Sequence, residues 1–194
     1  MRLLPAAGHR RMPWKNGGGV TTEIEVFPPG AGLDDFSWRI SMARVEADGP
    51  FSLFPGVDRT LMLLDGEGLH LTVEGQSLLH LARPHQTAAF PADVAASARL
   101  DAGPITDLNV MTRRDVCRAD VSLLRVAGEY RLDTVDALTV VFADGDGLRA
   151  DTGGRPVVLE RRDAAVLDPG ATAVLGAAEP CAAVVIVIRT TNPR

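Results

Sequence analysis

Three basic side chains, Lys15, Arg39 and Arg59, sit in local settings suited to capturing a small anion. Lys15 stands in WKNGGG, residues 14–19, between Trp14 and Asn16 and just before Gly17, Gly18 and Gly19. Successive glycines let backbone N–H groups come close to a carboxylate, and Lys15 and Asn16 add side-chain donors. The competing reading is a glycine hairpin or bulge with a solvated lysine. A Walker-type phosphate loop is excluded, because the lysine precedes the glycines and no helical pattern follows. In FSWRISMA, residues 36–43, alternation gives Phe36, Trp38, Ile40 and Met42 one face and Ser37, Arg39, Ser41 and Ala43 the other. An arginine between small residues leaves a ligand carboxylate room to reach the guanidinium fork, whereas a solvated arginine is the plainer alternative. Arg59 follows Asp58 where a turn enters a strand, as a local ion pair or as a second carboxylate clamp.

DLNVM, residues 107–111, puts Asp107, Asn109 and Met111 on one face and Leu108 and Val110 on the other. Apolar residues on both faces predict a buried strand, and a buried carboxylate needs a partner. Arg39, Arg59 or a ligand amine would serve, and so would a purely structural pair. Trp14 and Trp38 offer a flat wall to a planar ligand, or are simply core.

The elements that must position these residues read as strands. Nineteen glycines and thirteen prolines punctuate short alternating or β-branched runs, and no segment keeps a 3.6-residue period over three turns. This pattern predicts an all-β barrel or sandwich. An internal repeat sharpens it. LDGEGL at residues 64–69 recurs as ADGDGL at residues 143–148, each between two strands and followed by a glycine-containing turn. Strand, DGxG turn, strand, turn, strand, in the same order twice, predicts a double barrel.

At 194 residues, with 46% hydrophobic and 23% charged residues, the composition is that of a globular protein. A net charge of -5 without any basic stripe argues against nucleic-acid binding. No apolar run approaches the ~20 residues of a membrane-spanning helix, so no membrane partner is expected. Cys117 and Cys181 lack CxxC spacing, and reduced thiols in a cytoplasmic protein are the simplest expectation, with one disulfide left open.

WKNGGGVTTEIEVFP, the run from FSWRISMARV to DGEGLHL, and DLNVMTRR together resemble the HutD/Ves family, from Met12 to Arg114. The second half resembles it mainly through the repeat. The resemblance implies a bicupin: two antiparallel, RmlC-like jelly-roll barrels, expected over residues 1–115, including the N-terminal signature strands, and 116–194, with terminal strands free to exchange. It implies a small-molecule pocket and, in some relatives, a link to histidine utilisation through urocanate or formylglutamate. It brings no established reaction.

Cupins often hold a metal through three histidines and a glutamate, the first motif carrying two histidines one residue apart. This chain has only His9, His70, His80 and His85, and no HxH. His70 lies on the polar face of LHLTVE, so no metal and no cofactor are expected, with His80, His85 and Glu67 as remote candidates. The expected ligand-binding set is Trp14, Lys15, Asn16, Gly17, Gly18, Arg39, Ser41, Arg59, Asp107 and Asn109. The leading function is non-catalytic binding of a small carboxylated metabolite in the first barrel or at its junction with the second. The alternative is a metal-independent isomerase or hydrolase with Asp107 or Glu23 as base and Lys15 or His85 as acid. Pairing of barrel edges between copies makes a homodimer a further expectation.

Overall fold

The computed structural model describes residues 1–14 and 17–191. Its regular structure is all strand except one 3-10 turn at Ala6–Gly8. The chain forms two compact units, Arg10–Arg118 and Met1–His9 together with the chain from Ala119 onward.

Strand β1 (Arg2–Leu4) belongs to the second unit. The first unit contains β2 (Arg10–Pro13), β3 (Gly19–Phe27), β4 (Trp38–Val45), β5 (Gly49–Pro50) and β6 (Val57–Asp65). It continues through β7 (Leu69–Val73), β8 (Leu79–Leu81), β9 (Thr87–Pro91), β10 (Ala96–Leu100) and β11 (Ile105–Arg113). Six strands form one sheet in the order β2-β3-β4-β11-β6-β9, and four form a second in the order β5-β10-β7-β8. Both are antiparallel. Ala43, Leu61, Leu63 and Phe90 of the larger sheet pack with Leu69, Leu71, Leu81 and Ala98 of the smaller in one core. Each leucine buried there contributes about 1.5–3 kcal/mol.

The second unit holds β12 (Cys117–Asp133, from Ala119), β13 (Leu138–Ala143), β14 (Leu148–Asp151), β15 (Val157–Leu159), β16 (Ala164–Leu167) and β17 (Thr172–Thr190). Its sheet runs β1-β16-β13-β17-β14-β15, with β12 also on β17. The repeat is visible in the strands: both DGxG turns join consecutive strands, β6 to β7 and β13 to β14. The second copy closes with one long strand. β17 pairs with β14 through residues 174–176 and with β13 through residues 183–188. Val141, Leu148, Leu159, Leu167 and Leu175 form its apolar core.

The expected first barrel began at residue 1, but residues 1–9 join the second unit. β1 pairs with β16 through Arg2↔Val166, Leu3↔Ala165 and Leu4↔Ala164, and the Ala6 N–H donates to Asp163 Oδ1 at 2.7 Å. The pairing covers a β16 edge whose backbone groups would otherwise lack partners. The unit boundary, Arg118/Ala119, lies three residues beyond the expected one. Both cysteines are free and buried. Among the described residues no helix is long and apolar enough to cross a membrane.

Candidate functional site

The inner face of the six-stranded sheet carries the polar residues. In β11, Asp107, Asn109 and Met111 alternate with Leu108 and Val110. Register sets Asp107 beside Ala43 and Leu63, Asn109 beside Ser41 and Leu61, and Met111 beside Arg39 and Arg59. One cluster of side chains from three adjacent strands results, as cross-strand pairing requires. It lines a cavity of about 540 Å³ within the first unit. Arg39, Ser41, Arg59, Asp107, Asn109 and Trp14 all contribute to the wall.

The two arginines differ in how fully they are partnered. Arg39 Nε donates to Glu23 Oε2 at 2.7 Å, and its Nη1 lies 3.4 Å from Ser41 Oγ. Glu23 also sits 3.4 Å from Arg10. Arg39 is therefore neutralised where it stands. Arg59 is 5% exposed, and its Nε has no hydrogen-bond partner. Its Nη2 reaches only the Ser52 carbonyl, at 3.5 Å. The guanidinium carbon instead lies over three phenylalanine rings, 5.0 Å from Phe51, 5.5 Å from Phe54 and 5.7 Å from Phe90. A desolvated guanidinium gains from such aromatic faces, yet they leave its N–H donors unsatisfied.

Asp107 is 1% exposed. Its Oδ1 accepts from Asn109 Nδ2 at 2.5 Å, while its Oδ2 and Asn109 Oδ1 are buried without a partner. Burial pushes Asp107 up to about 7, opposed by the Arg59 charge, the Asn109 hydrogen bond and the Ala43 backbone. Burial likewise lowers Arg59 to about 10, opposed by Asp107 and aided by Arg39. Near neutral pH the Arg39–Glu23 pair cancels, and the cavity charge lies between zero and one positive as Asp107 gains its proton.

Of the expected set, the structure brings Trp14, Arg39, Ser41, Arg59, Asp107 and Asn109 together. Lys15 and Asn16 lie outside the described residues. Gly17 and Gly18 do not line the cavity. The glycines serve the β2–β3 turn, where the Trp14 N–H donates to the Gly19 carbonyl at 2.9 Å and the Gly17 N–H to the Trp14 carbonyl at 3.1 Å. Gly19 is required by proximity, since a Cβ there would lie 2.3 Å from the Arg44 carbonyl oxygen and 3.1 Å from the Trp14 ring. Asp58 pairs with Arg114 at 2.7 Å on the outer side, leaving Arg59 to the cavity. Trp38 stacks on Phe27 at 5.9 Å and does not line the cavity, nor does His85. Missed as wall or partner residues were Phe51 and Phe54, whose FSLF spacing in a loop has no periodicity to reveal it. Glu23 stood out only as a candidate base; the register sets it opposite Ser41, which makes Arg39, two residues along the same face of β4, its diagonal neighbour.

Two curled antiparallel units, one with a charged cavity on its inner face, define a bicupin. A cupin 2 conserved barrel protein from Leptotrichia buccalis superimposes with a TM-score of 0.60 at 11% identity, over 94% of this chain and 96% of that one, a likeness of fold alone. The HutD family model matches residues 6–185, and the chain belongs to the HutD family. An uncharacterised 21.2 kDa protein in the hutC 3′ region of Pseudomonas putida is 37% identical over 157 residues, covering 81% of this chain and 80% of that protein. Protein Ves of Citrobacter koseri is 45% identical over 117 residues, 58% of this chain and 59% of its own. The structure of HutD from Pseudomonas fluorescens SBW25 superimposes with a TM-score of 0.83 at 31% identity, over 98% of this chain and 99% of that one.

Proposed function

We propose that this chain is a cytoplasmic binding protein for a small carboxylated metabolite, with an accessory or regulatory role in histidine utilisation. One observation carries the reading. Arg59 Nε, Asp107 Oδ2 and Asn109 Oδ1 are buried polar atoms facing one cavity with no partner in the protein. Leaving such groups unsatisfied costs about 1–3 kcal/mol each, which a ligand of matching pattern repays. The pattern asks for a carboxylate to meet the Arg59 fork and an N–H donor to meet Asp107 and Asn109. Urocanate carries a carboxylate and an imidazole N–H; formylglutamate carries carboxylates and an amide N–H. The metabolic assignment draws on the relatives, one placed beside hutC and one named HutD.

Isothermal titration of the full chain with urocanate, formylglutamate, histidine and glutamate tests the proposal. Saturable binding of at least one is expected, and silence across a wider carboxylate panel would remove it. A second reading, a metal-independent isomerase or hydrolase, is favoured by Asp107 alone, whose proton affinity near neutrality suits a general base. Turnover of the bound acid, lost in Asp107→Asn with binding retained, would replace the first reading with the second.

A further inference from the structure

A second cluster lies on the outer face of the four-stranded sheet, apart from the cavity wall. Leu69, Leu71 and Leu81 point into the core, so the alternation of β7 and β8 turns His70 and His80 outward. The two histidines are direct cross-strand partners. Their rings stack with centroids 4.1 Å apart and planes 4° from parallel. Both Nε2 atoms face one carboxylate: His70 Nε2 is 3.1 Å from Asp101 Oδ1, and His80 Nε2 is 2.6 Å from Asp101 Oδ2. Asp101 follows the end of β10, and its N–H donates to the Gly68 carbonyl at 3.0 Å. A Cβ at Gly68 would lie 2.5 Å from Asp101 Oδ2 and 2.8 Å from the Leu81 carbonyl oxygen, so the bare glycine is what admits the carboxylate.

We propose that His70, His80 and Asp101 form a surface site for a divalent transition-metal ion of the zinc type, solvent completing the coordination. The three ligand atoms lie within 4.8 Å of one another. A tetrahedral ion with bonds of about 2.0–2.2 Å holds its ligands about 3.4 Å apart, and the two parallel rings must turn out of their stack to aim both Nε2 lone pairs at one ion. Two imidazoles and one carboxylate are a borderline donor set, which selects zinc, cobalt, nickel or copper over magnesium or calcium. The ion takes the place of the direct contacts between the two Nε2 atoms and the carboxylate, and it ties the end of β10 to the β7–β8 hairpin. Two features hold the affinity to the micromolar range. His70 Nδ1, which carries the proton of a metal-bound ring, has no hydrogen-bond partner, and such a missing partner costs roughly 10–100-fold. Arg99, paired opposite His70, adds a nearby positive charge. The site uses no cavity residue, and its fate is separate from that of the carboxylate proposal.

The test is calorimetric titration of chelator-treated full-length protein with Zn²⁺ at pH 7.5, with Co²⁺ absorption as a second readout. One ion per chain with micromolar Kd is expected, with visible Co²⁺ bands. His80→Ala and Asp101→Asn should each weaken binding at least tenfold, while His85→Ala should leave it unchanged. Circular dichroism verifies that the variants fold, and His80→Gln serves if His80→Ala does not. No heat or spectral change up to millimolar metal, or equal binding by wild type and the His80 variants, overturns the proposal.

Discussion

Replacing Asp107 by Asn should make the protein more stable, and increasingly so as the pH rises. Asp107 goes from 3.8, its ordinary value, to about 7 in the fold, chiefly through burial. The native state therefore binds this proton more tightly than the unfolded chain, and between those two values each step up in pH costs the fold stability. Over about three pH units at 1.36 kcal/mol each, the full cost is about 4 kcal/mol, of which roughly 3 falls between pH 5 and pH 8. The attraction of Arg59 is already contained in the shift, so it needs no separate correction. Asparagine has nearly the same shape as the protonated acid and cannot ionise. The two proteins should thus be similar near pH 4, and the advantage of the variant should widen by about 3 kcal/mol from pH 5 to pH 8. Urea unfolding of both at 25 °C and at both pH values reads this directly. A difference that stays constant within about 0.5 kcal/mol, or shrinks with rising pH, would refute the buried-carboxyl argument.

Arg59→Met removes the guanidinium, whose Nε has no hydrogen-bond partner, while keeping most of the volume beneath Phe51, Phe54 and Phe90, so the fold should survive. Carboxylate binding should weaken about 100-fold by calorimetry, the loss of one or two charge-assisted hydrogen bonds, and an unchanged Kd would place the ligand elsewhere. In the β2–β3 turn, Gly19→Ala should cost about 2–3 kcal/mol in urea, because the new methyl meets backbone at Arg44. Gly17→Ala, at φ +71 with nothing within 4 Å, should cost only about 1 kcal/mol, and the reverse order would contradict the packing described.

Much of the site was legible because strands have a period of two. Once 36–43 and 107–111 are read as strands, the faces carrying Arg39 with Ser41 and Asp107 with Asn109 follow, and the structure pairs those faces across one ladder. The repeat likewise announced two similar units, because its DGxG turns sit at equivalent strand junctions. What stayed hidden depends on register and on loops. His70 and His80 meet only because the β7–β8 hairpin places Leu69 against Leu81, an offset that a nine-residue separation does not dictate. Asp101 reaches them from a third segment. Phe51 and Phe54 come from a loop, and residues 1–9 pair far along the chain with β16, where no local pattern points.

Trp14 closes the β2–β3 turn, donates from its indole Nε1 to Thr21 Oγ1 at 2.8 Å, and forms part of the cavity wall. The only other tryptophan, Trp38, is stacked against Phe27 and buried off that wall. The chain thus carries a built-in optical probe: a guest settling beside the indole changes one of just two tryptophans. Occupancy can then be followed by intrinsic fluorescence, without a label, and Trp14→Phe supplies the silent control.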